Sequence, residues 1–510
     1  MSVPPLAAQA FRALAEAAWA DAVALADRNW DVMLHEHPTA LRAIAEAVPP
    51  EMLLGRPHWQ QLHLQLPYRS SPSIRRASLA KDPAWRRVAE LTARSRSARL
   101  AGDVARAVEC AFEARDEYRR AAAREEPPAS APRLMFEWAL AFVVGGPVER
   151  SGWDTQPEAQ LEETYSSAFI REDYEIAARA AAEMAWLNSF AGRADATAHW
   201  LERAAAVHRA SGGVSSPARL AQSMRRSDAL DFRGALAALV ALSGDHLYDH
   251  RIIVAAAAVM YAVHLGPTEI ERARSELARN CETSPPGLLA TPVNAGALAY
   301  AESYRLLLDG RPARALKLLQ APAGARLPLY AEARRASALL QAGDLHGAEM
   351  SAMAAIEEGG AMPRFVIEAR AALAVAQLRA GARDAARESF GRAVALADRH
   401  TLPVALGLIG SAEFDDLRGL VERSEDSPSL ASLTEHHMRR PQPTVTLAAL
   451  TPQERRVLEM IGSARSVAEA AARLEVSPNT VKSQLQAIYR KFGVSRRSEL
   501  LSVAREQGLL

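Results

Sequence analysis

One helical pattern follows another from the start of this 510-residue chain to about residue 420. Apolar residues recur at helical spacing, short turns containing Gly, Asp or Pro interrupt them, and no strand-like alternation persists. Hydrophobic residues make up 49% of the chain but aromatic residues only 6%, a balance that favours closely packed helices over sheets. We therefore expect an all-α protein, and the chain length predicts at least two folded units.

Glycine turns recur at a spacing that indicates helical repeats. In the later part of this region, three of them are centred on Gly310, Gly343 and Gly381, which lie 33 and 38 residues apart. Similar turns occur at Gly102, Gly192 and Gly234. The spacing is close to the roughly 34-residue hairpin of a tetratricopeptide (TPR) repeat, in which stacked hairpins share one continuous core. We predict a degenerate TPR-like solenoid over residues 1–421, with an irregular helical bundle as the alternative.

The helical period lapses between residues 422 and 446, where prolines and charged residues accumulate. Prolines oppose helix formation and charges keep a segment solvated, so we predict a linker over 422–446 and a separate domain over 447–510.

Helix-start signals define this last domain. Thr451, Pro452 and Glu454 form a capping box with proline at the first helical position, and Ser466 with Glu469 forms a second box. Ser477 and Pro478 repeat the cap-plus-proline start, and a third helix is expected to continue to about Phe492. Two short helices joined by a tight turn, the second newly capped, give the geometry of a helix-turn-helix.

The third helix has two different faces. Its apolar side, formed by Val481, Leu485, Ile488 and Phe492, is expected to face the domain core. Its opposite side carries Asn479, Lys482, Ser483, Gln486 and Arg490. Lys and Arg neutralise phosphates and donate to guanine, while Asn and Gln pair with adenine edges. This face predicts a recognition helix for double-stranded DNA, although the same residues on an isolated helix would indicate only a solvated surface.

The distribution of charge agrees with a DNA-binding C-terminal domain. Residues 447–510 hold ten Lys and Arg against six Asp and Glu, a net charge of +4, so the remainder of the +1 chain carries about −3. Positive charge is concentrated where DNA is expected to bind.

Six groups of residues, in order, resemble the LuxR-type DNA-binding domain. They are Leu450-Thr-Pro-Gln-Glu, Val457-Leu, Ala470-Ala-Ala-Arg-Leu, Val476-Ser-Pro-Asn-Thr-Val-Lys482-Ser-Gln-Leu485, Ile488-Tyr-Arg-Lys-Phe-Gly-Val494 and Arg497-Ser-Glu-Leu500. The stretch from Ala40 to His58 also resembles the opening of the helical-repeat module in large ATP-dependent LuxR-type regulators. Their ATPase needs a phosphate loop ending in Lys and then Ser or Thr, and Lys482 in the recognition helix is the one lysine followed by Ser. We therefore expect no such ATPase domain in this chain.

The resemblance implies a four-helix domain whose third helix enters the major groove and whose fourth, about Arg497 to Gln507, forms a dimer contact on DNA. By position it implies DNA contacts from Thr480, Val481 and Lys482, with Gln484 where many members have histidine. The second helix departs from the usual pattern, and Arg465 is a candidate substitute for a backbone contact usually made by lysine. The complete set of candidate DNA contacts is Arg465, Ser477, Asn479, Thr480, Val481, Lys482, Ser483, Gln484, Gln486, Arg490 and Lys491.

Other chemistry has little support in the sequence. Cys110 and Cys281 lack metal-ligand spacing, and the pairs His35/His37 and His436/His437 lack further ligands, so we expect no metal and no cofactor.

Trp186, Phe190 and Trp200 flank the Gly192 turn and either line a ligand pocket or, more commonly for such spacing, belong to the core. The apolar run from Ile252 to Val263 is too short for a membrane span and predicts a buried helix. The Gly145-Gly146 to Gly152 stretch has no lysine and predicts a loop.

These observations favour a cytoplasmic transcriptional regulator, associated with the nucleoid when bound to DNA, in which an effector or protein partner acts through the helical-repeat domain. The alternative is a protein-interaction scaffold with a weak or accessory DNA-binding domain. An enzyme built on helices would need catalytic residues without a recognisable motif, so we predict that the protein is not an enzyme.

Overall fold

A computed structural model describes most of the chain. The described residues are 6–30, 32–33, 37–53, 56, 59, 83–145, 156–208, 216–240, 250–284, 286–320, 328–421, 426–436, 438–441, 450–464, 466–492, 494 and 496–506. Helices dominate these segments, and no β-strand occurs in them. The expected all-α class is confirmed.

Helices follow one another through the described segments that precede residue 441. These helices are Leu6–Ala15, Trp19–Arg28, Pro38–Ala47, Pro50–Leu53, Pro83–Ala101, Val104–Ala122, Ala131–Gly145, Gln156–Ile170, Tyr174–Ala191, Ala194–His208, Ser216–Asp228, Phe232–Val240, Arg251–Ala262, Pro267–Thr283, Pro286–Leu289, Pro292–Leu308, Pro312–Leu318, Leu329–Ala342, Leu345–Glu358, Pro363–Arg379, Arg383–His400, Ser411–Leu420 and Pro428–Glu435, with a 3-10 turn at Pro403–Leu406. The helices after residue 450 are Pro452–Ser463, Val467–Arg473, Pro478–Phe492 and Arg497–Glu506.

Glycine turns fold many neighbouring helices into hairpins. Five of the six predicted turn glycines adopt a left-handed backbone: Gly102, Gly192, Gly310, Gly343 and Gly381 have φ between 68° and 86°. In two of these turns an aspartate follows the glycine and caps the next helix, as Asp103 accepts from the Arg106 amide and Asp344 from the Gly347 amide. The hairpins fit a helical-repeat arrangement, while the TPR-like solenoid stays a prediction.

The turn predicted at Gly234 is formed by other residues. Leu230 takes the left-handed conformation there, with φ of 67°, and Asp231 accepts from the Gly234 amide inside the following helix. A glycine is therefore not required at this turn, and the prediction of Gly234 as its centre is wrong.

Contacts between distant parts of the chain draw the middle helices together. Arg364, at the start of its helix, donates two hydrogen bonds to Asp228, 136 residues earlier, at 2.6 and 2.9 Å. Gly192 makes this approach possible, since a Cβ there would lie 2.9 Å from the Arg364 backbone nitrogen. The largest described hydrophobic cluster accordingly extends from Phe136 to Met438.

The predicted buried helix and aromatic cluster lie largely inside the protein. The helix Arg251–Ala262 buries Ile252 and Val259, as expected, and no described helix is long and apolar enough to cross a membrane. Trp200 packs edge-on against Tyr165 and belongs to the core. Trp186 and Phe190 also line a cavity, which is discussed below.

Part of the segment predicted as linker is helical. Ser427 accepts from the Leu430 amide and Pro428 occupies the first turn of the helix Pro428–Glu435, whose Leu430 and Leu433 are buried in the largest hydrophobic cluster. Proline starts this helix instead of opposing it, so residues 427–435 do not behave as a linker. The boundaries of the two domains stay a prediction.

Some predictions fall outside the described residues. His35 and His437 lie there, as do residues 146–152 of the expected loop. Among the residues that are described, no group of three or more His, Cys, Asp or Glu side chains is placed to hold a metal ion.

Candidate nucleic-acid interface

The first helix of the C-terminal segment begins with the predicted capping box. The Thr451 hydroxyl accepts from the Glu454 amide at 3.2 Å, and the Glu454 carboxylate accepts from the Thr451 amide at 2.7 Å. The helix Pro452–Ser463 includes Gly462, and Ala464 is its C-cap. Two of the amides that a helix start leaves without partners are thus satisfied, which fixes where the chain turns into the helix.

The next two helices form the predicted helix-turn-helix. Ser466 accepts from the Glu469 amide to start the helix Val467–Arg473. A short turn follows, in which Glu475 takes the left-handed conformation with φ of 55°. Ser477 then accepts from the Thr480 amide at 3.1 Å and starts the helix Pro478–Phe492.

The apolar side of the third helix packs into a small core. Val481 and Ile488 are 0% exposed, and Leu485 and Phe492 are also buried. Together with residues of the other helices they form a single hydrophobic cluster. Its other buried members are Val457, Leu458, Ile461, Ala464, Ala470, Ala471, Leu500 and Ala504. Burial of this face fixes the rotation of the helix, and so determines which residues it presents to solvent.

The opposite side of the helix is a continuous polar surface, which we call the recognition face: Asn479, Lys482, Ser483, Gln486 and Arg490. All five residues are exposed. They follow the i, i+3, i+4, i+7 and i+11 spacing of one helix side, and at about 1.5 Å per residue they extend over about 17 Å. No carboxylate lies among them, so the face presents cations and amides to a partner.

The remaining candidate contacts flank the recognition face. Ser477 is exposed, and Thr480 and Gln484 are half-buried. The hydroxyls of Ser477 and Thr480 lie 2.9 Å apart at the start of the helix, while the Ser483 hydroxyl donates to the Thr480 carbonyl at 2.9 Å. These hydroxyls and the helix amides are suited to phosphate oxygens.

Burial removes one residue from the predicted DNA contacts. The resemblance assigned Val481 to DNA, but its side chain is 0% exposed between the helices of the domain. The helical periodicity, which assigned Val481 to the core, gives the correct position. Arg465 and the side chain of Lys491 lie outside the described part of the structure.

Arg497 makes a structural contact that the sequence patterns did not indicate. Its guanidinium donates to the backbone carbonyls of Ile461, at 2.9 Å, and Ala464. These carbonyls end the first helix, so Arg497 joins the start of the fourth helix to the end of the first. Arg497 is separated from these partners by 36 and 33 residues of sequence, so only the folded domain identifies them.

Comparisons with known proteins agree on the identity of this segment. Residues 448–504 match the family model GerE, described as bacterial regulatory proteins, luxR family. Over 61 residues the chain is 43% identical to "Probable transcriptional regulatory protein NarL" from Mycobacterium tuberculosis, in strains CDC 1551 / Oshkosh and ATCC 25618 / H37Rv. The match covers 12% of this chain and 28% of those relatives. The C-terminal segment is therefore a LuxR-family helix-turn-helix domain, as the sequence resemblance implied.

Proposed function

We propose that this chain, which carries a LuxR-family DNA-binding domain at residues 448–504, is a sequence-specific transcriptional regulator. The recognition face carries the proposal, because it places exposed cations and amides on one side of a helix whose other side is locked into a core. In this proposal the helix Pro478–Phe492 enters the major groove of double-stranded DNA.

The chemistry of the recognition face suggests a division of roles. Lys482 and Arg490 supply donors for guanine O6 and N7 or for phosphates, while Asn479 and Gln486 can pair with the N6 and N7 atoms of adenine. Residues near the amino-terminal end of the helix enter deepest in helix-turn-helix proteins, so we assign base reading mainly to Asn479, Lys482 and Gln486. We assign Arg490, nearer the other end, to phosphate.

Phosphate contacts at the edges of the groove complete the proposed interface. Ser483 belongs to the recognition face, and Ser477, Thr480 and Gln484 lie beside it. On sequence grounds we add Arg465 and Lys491 to these phosphate contacts. Such contacts set register and add affinity without reading sequence.

We further propose that the protein binds DNA as a homodimer through the helix Arg497–Glu506 and acts in the cytoplasm on nucleoid DNA. A symmetric dimer would recognise two half-sites about 34–36 Å apart or a multiple of that distance. The helical region before residue 441 would then control DNA binding in response to an effector or partner.

Selection of genomic DNA fragments by the full-length protein tests this function. We expect one sequence motif to be enriched, and transcripts of the adjacent genes to change when the cell carries a Lys482→Ala, Gln486→Ala double variant. An Arg455→Ala, Glu459→Ala variant is the control, because these exposed side chains form an ion pair on the helix Pro452–Ser463 and are not part of the recognition face. Absence of an enriched motif, with unchanged transcripts, would instead indicate a scaffold with accessory DNA binding.

A further inference from the structure

A partly enclosed cavity lies among the helices before residue 441, apart from the recognition face. The centre of a water molecule can occupy about 90 Å³ inside it. A sphere of that size, widened by the roughly 1.4 Å radius of water, encloses about 300 Å³, at the lower end of the range for small-molecule sites. The cavity therefore has room for several waters or for one compact organic molecule of one or two rings.

Aromatic side chains form much of the cavity wall. Trp186, Phe190, Phe232, Tyr300 and Tyr304 all line it, and they come from helices spread over more than a hundred residues of sequence. Aromatic walls with a few polar atoms are typical of sites for flat organic ligands. The wall composition thus favours a ring-containing ligand over a sugar or a metal ion.

The charged groups in the wall neutralise one another. Arg334 donates to both carboxylate oxygens of Glu368 at 2.5 and 3.1 Å, and Arg364 donates to both oxygens of Asp228 at 2.6 and 2.9 Å. Arg364 also donates to two backbone carbonyls of the helix Tyr174–Ala191, and the Arg334 guanidinium lies 4.0 Å from the ring centre of Tyr300. An anionic ligand would have to break a buried ion pair to find a cation, which favours a neutral ligand.

Two cavity side chains carry buried polar atoms without a hydrogen-bond partner in the described structure. Trp186 is 2% exposed and its Nε1 donor has no partner. The Nδ1 atom of His264 also has none, while its Nε2 atom lies 3.0 Å from the Tyr304 hydroxyl and its ring stacks on Phe232 at 4.0 Å. Burial, helped by the charge of Arg439, lowers the pKa of His264 to about 3, so the ring is neutral at physiological pH. Buried groups of this kind normally pair with water or a ligand.

The same histidine lies next to the segment that leads to the DNA-binding domain. His264 also lines a neighbouring groove together with Met438, Arg439 and Arg440. Arg439 donates to Asp309 at 2.7 Å, and the Arg440 guanidinium lies 3.8 Å from the ring centre of a phenylalanine in the helix Ser411–Leu420. These contacts hold residues 438–440 against the helical region just before the chain continues to residue 450.

A second part of the cavity wall contacts this segment directly. Val404, Ala405 and Leu408, in and after the 3-10 turn Pro403–Leu406, line the cavity. The terminal methyl of Met438 fills the space where a Cβ on Gly407 would lie. A molecule that changes the packing of this turn or of His264 would therefore also change the surface against which residues 438–440 pack.

We propose that the cavity binds a neutral small molecule with one or two aromatic rings and a hydrogen-bond acceptor for Trp186, and that its occupancy changes DNA affinity. The ligand part of this proposal stands on the cavity alone, whereas the regulatory part rests on the proposed function. Trp186 and His264 act as binding residues, and the turn Pro403–Leu406 with residues 438–440 transmits the change.

Ligand-observed NMR and calorimetry on the full-length protein test the binding site with benzamide, indole and benzoate as probes. Benzamide offers a neutral acceptor, indole a ring with only a donor, and benzoate a similar shape with a negative charge. We expect benzamide to bind at least about tenfold more tightly than benzoate, because the negative charge of benzoate would be buried without a free cation. We expect Trp186→Phe to weaken benzamide about tenfold, roughly the contribution of one hydrogen bond, while changing indole less than threefold.

A cavity-filling variant with a matched control locates the binding. Ala257 lines the cavity, whereas the adjacent Ala258 on the same helix does not, and both are half-buried. We expect Ala257→Phe to abolish benzamide binding and Ala258→Phe to retain it. If Ala257→Phe does not fold, the effect of Trp186→Phe on benzamide binding tests the location of the site instead. Absence of binding by all three probes to wild type, or equal binding by both alanine variants, would overturn the site.

DNA affinity, measured with and without saturating benzamide, tests the regulatory part. We expect the Kd for a selected DNA site to change at least threefold in wild type and to stay unchanged in Ala257→Phe. Benzamide binding without an effect on DNA would overturn regulation and leave the site standing. Loss of sequence-specific DNA binding in all conditions would refute the proposed function, and the ligand measurements would still decide the cavity.

Discussion

Val481→Ala separates a core role from a DNA-contact role for this side chain. Val481 is 0% exposed and packs against the other helices of the C-terminal domain. The substitution removes two buried methyl carbons, which costs about 1.6 kcal/mol in transfer free energy and about 2 kcal/mol with the residual cavity. A loss of about 2 kcal/mol raises the opening equilibrium of the domain about thirtyfold.

Hydrogen exchange measured by mass spectrometry on the full-length protein reports this opening. Amides of the helix Pro478–Phe492 are expected to exchange about thirtyfold faster in Val481→Ala, while the Kd for a selected DNA site changes less than about threefold because most molecules remain folded.

Lys482→Ala is the reciprocal variant, since Lys482 is exposed on the recognition face. It is expected to leave exchange unchanged and to weaken DNA binding by about 1–3 kcal/mol. The reasoning is refuted if Val481→Ala weakens DNA binding more than tenfold while exchange in this helix stays as in wild type.

Three further predictions concern stability. Thr451→Ala removes one half of the capping box and should lower the free energy of unfolding of the C-terminal domain by about 1 kcal/mol, measured by exchange of the helix Pro452–Ser463; an equal effect of exposed Gln453→Ala would contradict the cap assignment. Arg334→Met should cost about 3–5 kcal/mol in denaturant unfolding, because the Glu368 carboxylate is left buried without its cation and keeps the hydrogen bond from the Tyr300 hydroxyl. Adding Glu368→Met should recover much of that loss, and additive losses would count against the pairing. Burial lowers the pKa of His264 to about 3. As the pH falls below about 6.5, this imidazole is therefore expected to bind a proton in the unfolded chain but to stay neutral in the folded one. The free energy of unfolding is therefore about 2 kcal/mol lower at pH 5 than near neutral pH because of this group. The difference in free energy of unfolding between wild type and His264→Phe should change by that amount between pH 7.5 and 5. A constant difference would show that the ring is not held neutral.

Local signals allowed most of the C-terminal domain to be predicted. The hydroxyl caps at Thr451, Ser466 and Ser477 lie three residues or fewer from their amide partners, so the sequence holds all the information needed to place these helix starts. Periodicity then separated the buried side of the third helix from the exposed one. At Val481 the two predictions disagreed: the family pattern assigned the residue to DNA, and the helical periodicity assigned it to the core. The side chain is buried, as the periodicity predicted.

The same local chemistry explains the helix Pro428–Glu435, which lies in the segment predicted as linker. Ser427 and Pro428 form the cap-plus-proline start already seen at Ser477 and Pro478, but the surrounding charges and prolines suggested a linker. The helix is stable because Leu430 and Leu433 are buried against distant helices. Its packing partners, not its composition, decide its structure.

The cavity could not be predicted from the sequence, because it depends on contacts between distant helices. Arg364 and Asp228 meet across 136 residues, and neither lies in a motif that identifies the other. Trp186 and Phe190 were candidates for a pocket, but residues at their spacing more commonly belong to a core, and Trp200 does belong to the core. Only the folded arrangement places His264 between the cavity and residues 438–440.

Fluorescence anisotropy of the full-length protein at physiological salt tests the central claim most directly. The measurement compares the Kd for the DNA site enriched by selection with the Kd for a shuffled sequence of the same length. We predict a ratio of about a thousand or more, reduced at least tenfold by the Lys482→Ala, Gln486→Ala variant. A ratio near one, or an unchanged ratio in the variant, would contradict sequence reading by the helix Pro478–Phe492.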